Sequence, residues 1–199
     1  GFLSKYTNAL ELVSVILVLA LAPRLRQEFA RPGLYSLLGL FVLCTIPPII
    51  WNSQHAWVTI SHLQTKGGLN DAVGIHPLEL LKFLGAHFLF YSPFLFLALA
   101  FAVIKSLGRI TQQMKVLFLF WFGLPVFAFY LLLSINKLPA PNWDALAFIG
   151  FGLLAAYFWR EVLEGGGWWR RAATVAVVVG LLMSLVALNS DLLNTFGIG

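Results

Sequence analysis

The chain has 199 residues, of which 60% are hydrophobic and only 11% are charged. A soluble domain usually carries about 25% charged residues, so the composition excludes an ordinary water-soluble domain. Apolar blocks of about 20 residues recur, which is the length needed to cross a hydrocarbon core of about 30 Å. The formal charge of +5 does not indicate nucleic acid as a partner, because the basic residues lie in short segments between apolar blocks and act there as topology determinants.

Apolar runs bounded by charges, proline and glycine predict about six transmembrane helices in one domain over residues 1–199. In chain order they are expected at roughly 7–23, 34–51, 77–104, 115–135, 143–160 and 172–193. Every span is expected to be helical, because lipid cannot satisfy the hydrogen bonds of an open backbone. The predicted fold class is therefore all-α and polytopic.

Basic residues predict the orientation of these helices. The connections after the first, third and fifth helices are rich in arginine and lysine, which places them in the cytoplasm. The connections 52–76 and 136–142 carry only Lys66 and Lys137, so they are expected on the outer side, periplasmic or extracellular. Both chain ends then face outward. An outward N-terminus without a signal peptide predicts a fragment of a longer protein with upstream helices.

Polar residues beside a membrane are the default candidates for function, and here they concentrate on the expected outer side. They are His55, His62, His76, His87, Asn52, Gln54, Asp71, Glu79, Lys82, Lys137, Asn142 and Asp144. Glu79 and Lys82 are three residues apart and are expected to neutralise each other locally. A functional site should therefore open to the outside.

The first candidate segment follows Pro47 and Pro48, which are expected to break the end of the second helix. The rings of His55, Trp57 and His62 suit contact with a lipid headgroup or a sugar. An interfacial aromatic belt explains the tryptophans equally well. No cysteine or carboxylate lies nearby in sequence to complete a metal site with the histidines, so no metal is predicted.

The second candidate segment is the proline-rich connection that carries Lys137 and Asn142. An ammonium and an amide together suit a phosphate or a sugar hydroxyl at the membrane surface. Asn142 as N-cap of the next helix, with Asp144 in its first turn, is a structural alternative that is compatible with binding. Lys137 has no evident structural role beyond snorkelling. Lys5, before the first helix, fits either a second phosphate contact or a plain interfacial anchor.

Residues 3–7, 48–59 and 139–145 resemble bacterial family 39 glycosyltransferases, membrane enzymes related to dolichyl-phosphate-mannose protein mannosyltransferases and to the aminoarabinose transferase of lipid A. The most specific motifs are Trp-Asn-x-x-His-x-Trp at 51–57 and Pro-Asn-Trp at 141–143. The resemblance implies the GT-C fold and the bacterial inner membrane. It also implies a polyprenyl-phosphate-linked sugar as donor, with a lipid, glycan or protein acceptor on the outer face.

The reaction that the resemblance implies needs a carboxylate to activate the acceptor and a group to stabilise the departing phosphate. The family's catalytic Asp lies in its first outer loop, for which this sequence has no equivalent, so no catalytic residue is assigned and autonomous activity stays open. The expected phosphate or headgroup contacts are Lys137, Lys5 and His55. The expected cavity-mouth residues are Asn52, Trp57, His62, Asn142 and Trp143.

Two other classes of protein remain as alternatives. A transporter subunit would place polar residues near helix centres and pair half-helices across the membrane, and the sequence shows few such features. A structural membrane protein without chemistry would not concentrate its polar groups on one side. Membrane lipids are expected partners under all three interpretations, and no certain cofactor is predicted.

Overall fold

The computed structural model of the chain describes residues 9–67, 74–140, 142–164 and 166–188. Of these residues 85% are helical and none lies in a β-strand, so the predicted all-α class is confirmed for the described part. The α-helices are α1 Leu10–Leu21, α2 Pro32–Gln54, α3 Val58–Gly67, α4 Pro77–Phe90, α5 Pro93–Ser106, α6 Met114–Leu133, α7 Ala145–Glu164 and α8 Gly167–Leu188. Short 3-10 segments occupy Pro23–Ala30 and Leu107–Arg109.

Proline marks the start of three helices. Pro32, Pro77 and Pro93 each stand at the first turn of α2, α4 and α5, where the missing N–H would have no partner within the helix anyway. Pro47 and Pro48 behave differently, because α2 continues through both of them to Gln54. The predicted break at this pair is therefore wrong; membrane helices tolerate proline where neighbouring groups satisfy the freed backbone.

The predicted single helix over 77–104 is two helices. α4 and the segment Pro93–Arg109 are bent by 112° relative to each other. The proline ring at Pro93 clashes with a continuing helix and donates no hydrogen bond. Ser92, directly before it, has φ +67°, a conformation that a residue with a side chain rarely adopts. The break therefore comes from the backbone at 92–93.

The predicted connection 52–76 contains an additional helix, α3. A tight turn joins it to α2, with φ +50° at Ala56 and φ +56° at Trp57. The left-handed conformation costs a non-glycine residue roughly 1–2 kcal/mol. The turn is held by the Asn52 carbonyl oxygen, which accepts from the amides of His55 at 3.1 Å and Trp57 at 2.8 Å.

Replacing Ala56 with glycine should stabilise the protein by roughly 0.5 kcal/mol, because glycine adopts a positive φ without steric cost. Thermal unfolding in detergent measures the effect. Ala86→Gly, within α4, is the matched control and should destabilise by about 1 kcal/mol through lost helix propensity. A destabilised Ala56→Gly protein would contradict the assigned turn geometry.

The core lies between α6, α7 and the end of α4. Its buried members are Phe83, Val126, Tyr130, Ala147, Phe148 and Phe151. A second cluster joins α1 to α6 through Val18, Ala22 and Leu117. Gly123 and Gly150 permit the antiparallel helices α6 and α7 to approach closely. A Cβ added at Gly123, for example, would lie 2.8 Å from the Ala147 carbonyl oxygen.

By length and composition, two described helices can cross a membrane: α2 and α6. A third span exists if α4 and Pro93–Arg109 count together, while α1 and Ala145–Arg160 are shorter apolar helices. The chain is therefore a helical membrane protein, and the count of six spans stays a prediction. Asn52 is the one fully buried residue of α2; a minority of the others are half-buried and most are exposed, so most of the surface of α2 is available to lipid or to other protein.

Candidate functional site

The two connections that the charge pattern placed on one side meet in the structure. Three hydrogen bonds join them: Lys137 Nζ donates to the Thr65 carbonyl oxygen at 3.0 Å, the Gly74 amide to Asn136 Oδ1 at 2.9 Å, and the His76 amide to the Ile135 carbonyl oxygen at 2.8 Å. Thr65, Gly74 and His76 on one side and residues 135–137 on the other thus meet at one polar end of the helical bundle, as far as the chain is described. Which side of a membrane this end faces stays a prediction.

Lys137 has a structural partner that the sequence did not reveal. Its ammonium contacts the carbonyl of Thr65, which lies in the last turn of α3. A cation at the C-terminal end of a helix is stabilised by the unpaired carbonyls and by the helix dipole. The inference that Lys137 lacks a structural role is therefore wrong. An ammonium has three N–H donors, so this contact does not exclude a phosphate oxygen.

His55 and Trp51 form an exposed aromatic platform at the end of α2. Their rings are stacked, with centroids 4.2 Å apart and an angle of 13° between the planes. His55 Nδ1 lies 2.7 Å from the Trp51 carbonyl oxygen, and since a carbonyl only accepts, Nδ1 donates. This hydrogen bond fixes the imidazole flat against the indole. The exposed face of such a pair suits a sugar ring or a lipid headgroup.

Asn52 holds the backbone rather than facing the surface. It is 3% exposed, and its Nδ2 donates to the Pro48 carbonyl oxygen at 2.8 Å. Trp57 and His62, by contrast, are exposed on the turn and on α3. Among the predicted cavity-mouth residues of this segment, Asn52 therefore shapes the helix end, and Trp57 and His62 are accessible. Lys5 lies outside the described residues.

The second segment presents Asn142 and partly buries Trp143. The Trp143 amide donates to the Ala140 carbonyl oxygen at 3.0 Å, and its ring meets Tyr130 edge-on at 6.1 Å. The Asn142 side chain is exposed. Because α7 begins at Ala145, Asp144 and not Asn142 directly precedes the helix, so the predicted N-cap lies two residues too early and Asp144 stands just before the first turn rather than in it.

Glu79 and Lys82 form the predicted local ion pair. Lys82 Nζ lies 2.6 Å from Glu79 Oε1, and both side chains are at the surface of α4. The prediction that the two charges neutralise each other is confirmed. An exposed pair of this kind contributes little to stability, but it makes Lys82 a useful reference cation outside the contact between the two segments.

Two buried polar residues, His87 and Asp144, form a hydrogen-bonded pair that the sequence did not predict. His87 of α4 and Asp144 before α7 are both 0% exposed, and His87 Nε2 lies 2.9 Å from Asp144 Oδ1. The imidazole is stacked on Phe148 at 5.1 Å and on Tyr91 at 6.0 Å. An aromatic enclosure of this kind accommodates either a neutral or a cationic imidazole.

The hydrogen bonds of His87 define where its protons are. Nδ1 lies 2.8 Å from the Phe83 carbonyl oxygen, so Nδ1 carries a proton. One further proton is shared between Nε2 and Asp144 Oδ1: an imidazolium faces a carboxylate, or a neutral imidazole accepts from a carboxylic acid. The second carboxyl oxygen, Oδ2, is buried and has no hydrogen-bond partner among the residues that the structure describes. Asp144 is closed to solvent and therefore serves the fold around it rather than a substrate.

A weak signal for this pair exists in the sequence. His87 interrupts the apolar run between Lys82 and Lys105, and Asp144 is the only acidic residue between Glu79 and Glu161. Both were recognised as polar residues of the outer side, but they are 57 positions apart and no spacing rule connects them. Among the described residues there is also no group of three or more His, Cys, Asp or Glu side chains that could hold a metal ion.

Comparison with known proteins gives one distant similarity. No family model matches the sequence, and no solved structure matches it. The chain is 26% identical over 186 residues to lipid A galacturonosyltransferase RgtD of Rhizobium johnstonii. The aligned region covers 93% of this chain and 38% of that protein, so the chain spans well under half the length of its relative. The similarity supports a relationship to glycosyltransferases and does not reach family 39 specifically.

Proposed function

We propose that the chain is part of a membrane glycosyltransferase that uses a polyprenyl-phosphate-linked sugar as donor. The observation that carries the proposal is the similarity to a lipid A galacturonosyltransferase over 93% of the chain. The meeting of two polar segments at one end of an apolar helical bundle supports it, because a lipid-linked donor must present its phosphate and sugar at a membrane surface while its chain stays in lipid.

The finer assignments belong to the same proposal. The chain forms part of a GT-C fold of family 39 type, with about six spans, in a bacterial inner membrane and with segments 52–76 and 136–142 outside. Of the possible acceptors, a lipid is the best supported, since the relative is named for its action on lipid A. A glycan or protein acceptor is less well supported.

The phosphate of the donor is proposed to lie at the contact between α3 and segment 136–144. Lys137 supplies a cation at this contact, and a charged donor stabilises a departing phosphate more than a neutral one does. Lys5 is the proposed second cation. His55, stacked on Trp51, is proposed to contact the headgroup. The accessible side chains of Trp57, His62 and Asn142 are proposed to line the entrance, while Asn52 shapes the end of α2 beside it and Trp143 is partly buried behind it.

No general base for the proposed reaction is assigned among the residues that the structure describes. Asp144, seven residues after Lys137, is 0% exposed and bonded to His87, and Asp71 lies outside the described residues. The resemblance places the catalytic Asp in the family's first outer loop, and no described residue of segments 52–76 and 136–144 is assigned that role. The proposed contribution of this chain is donor binding and orientation.

Lys137→Gln is expected to weaken donor binding roughly tenfold to a hundredfold, the effect of a lost charged hydrogen bond. Glutamine is preferable to alanine because its amide can still donate to the Thr65 carbonyl and so preserve the contact between the two segments. Binding of a polyprenyl-phosphate sugar to the chain in lipid nanodiscs measures the effect. Lys82→Ala, which removes an exposed cation of α4, is the matched control and should leave the affinity unchanged. Equal affinity in Lys137→Gln and the unmodified chain would contradict the assigned phosphate contact.

A further inference from the structure

The segment 136–144 is fixed at both of its ends and presents its polar side chain between them. At the first end, Lys137 and Asn136 are bonded to Thr65 and Gly74. At the second end, Asp144 Oδ1 is bonded to His87. Asn142, two residues before Asp144, has an exposed side chain. The position of Asn142 therefore depends on how firmly Asp144 is held.

His87 holds Asp144 through a chain of hydrogen bonds that leaves the imidazole little freedom. The Phe83 carbonyl oxygen fixes Nδ1 at 2.8 Å, so Nε2 points at Asp144. The ring is confined by Phe83, with centroids 4.4 Å apart, and by Phe148, at 5.1 Å. A ring fixed at Nδ1 by a backbone carbonyl, stacked on Phe148 and contacted by the tilted ring of Phe83, transmits the position of α4 to residue 144.

Stability alone does not account for a polar pair at this place. A buried ion pair can often be replaced by apolar residues of similar volume without loss of stability, whereas such a pair restricts the geometry of the groups it joins. Three aromatic rings surround His87, those of Phe83, Tyr91 and Phe148, so we expect an apolar side chain to pack at this position too. Unlike an apolar pair, the polar pair provides a directional hydrogen bond between α4 and Asp144, the residue that precedes α7.

We propose that His87 is a positioning residue for donor recognition, acting through Asp144 to hold the segment 136–144 so that Asn142 contacts the donor headgroup. The inference rests on the proposed function. Asp144 and His87 do not touch the donor, because both are closed to solvent. Asn142 makes the contact, and the buried pair sets its position.

The test separates positioning from folding by using two kinds of variant. His87→Leu combined with Asp144→Leu keeps an apolar filling and removes the bond; it should fold and bind a polyprenyl-phosphate sugar about tenfold more weakly. Asp144→Asn keeps the bond, because the asparagine amide can donate to Nε2 while Nδ1 still donates to the Phe83 carbonyl. It should fold and keep its affinity within about twofold.

A double-mutant cycle then connects the pair to Asn142. Asn142→Ala alone should weaken donor binding about tenfold, and the same change in the double-leucine protein should add less than about twofold, because the contact is already lost there. Independent, additive losses would overturn the inference. So would a folded double-leucine protein with unchanged affinity, or a folded Asp144→Asn protein that loses as much affinity as the leucine pair.

The unmodified protein distinguishes a failure of this inference from a failure of the proposed function. If the unmodified chain in nanodiscs binds no polyprenyl-phosphate sugar, the proposed function is overturned and the positioning role falls with it. If the unmodified chain binds the sugar donor and loses affinity in Lys137→Gln, but the double-leucine protein binds as the unmodified chain does, only the positioning role is overturned.

Discussion

Replacing His87 alone with leucine is expected to lower the free energy of unfolding by about 3–5 kcal/mol, the range found when one partner of a buried pair is removed. The Asp144 carboxyl would then lie fully buried with its bond to His87 gone, while its Oδ2 atom already lacks a hydrogen-bond partner within the described part of the chain. Burial of an unpaired charge or carboxylic acid is unfavourable in an aromatic environment. The effect should therefore exceed that of an ordinary core substitution.

Replacing both residues with leucine should restore most of the loss. With no polar group left to desolvate, the site becomes an apolar contact between α4, Phe148 and the start of α7. Thermal or denaturant unfolding in detergent compares His87→Leu, Asp144→Leu and the combination. The interaction between the two sites is expected to be large and of opposite sign to the single losses. Additive destabilisation in the combined variant would show that the two side chains do not act as a pair.

Gly150→Ala is expected to destabilise the protein by about 1–3 kcal/mol through overpacking. A Cβ at this position would lie 2.9 Å from the Gly123 backbone nitrogen and 2.9 Å from the Leu119 carbonyl oxygen. These contacts are with backbone atoms, which cannot rotate away as a side chain could, so α6 and α7 would have to separate. Small residues at helix contacts are the usual means of close packing in membranes.

Gly152→Ala is the matched control for this substitution. It lies in the same helix two positions later, and a Cβ there meets nothing within 4 Å. Alanine has the higher helix propensity, so this variant should lose no stability. Thermal unfolding of the two variants in the same detergent measures the difference. Equal stability of Gly150→Ala and Gly152→Ala would contradict the close contact between α6 and α7.

The sequence predicted much of the helical layout because apolar length and flanking charges are local signals. The helices expected at 34–51, 115–135 and 143–160 correspond to α2, α6 and α7 within a few residues. The division of 77–104 was harder to predict, since Pro93 marks a possible kink but does not specify the 112° bend. That angle accompanies the positive φ at Ser92, a conformation that a residue with a side chain rarely adopts and that the sequence does not signal.

The sequence predicted individual polar residues of the candidate site but not the contacts between them. The side chains of Lys137, His55 and Asn142 stand out in sequence because they are polar residues next to apolar helices. Their partners do not, because a bond such as that of Lys137 to the Thr65 carbonyl joins residues 72 positions apart and uses a backbone atom. The His87–Asp144 pair was not predictable for the same reason, since the two residues are far apart in sequence and meet only when α4 and α7 pack together.

Binding of a fluorescent polyprenyl-phosphate sugar to the purified chain in lipid nanodiscs tests the central claim most directly. The same polyprenyl phosphate without the sugar, and the polyprenol without the phosphate, serve as comparison ligands. The account predicts saturable binding of the sugar donor, weaker binding of the phosphate, and only partitioning of the polyprenol into the bilayer. Equal signals from all three lipids would contradict a donor site and favour a transporter subunit or a structural membrane protein.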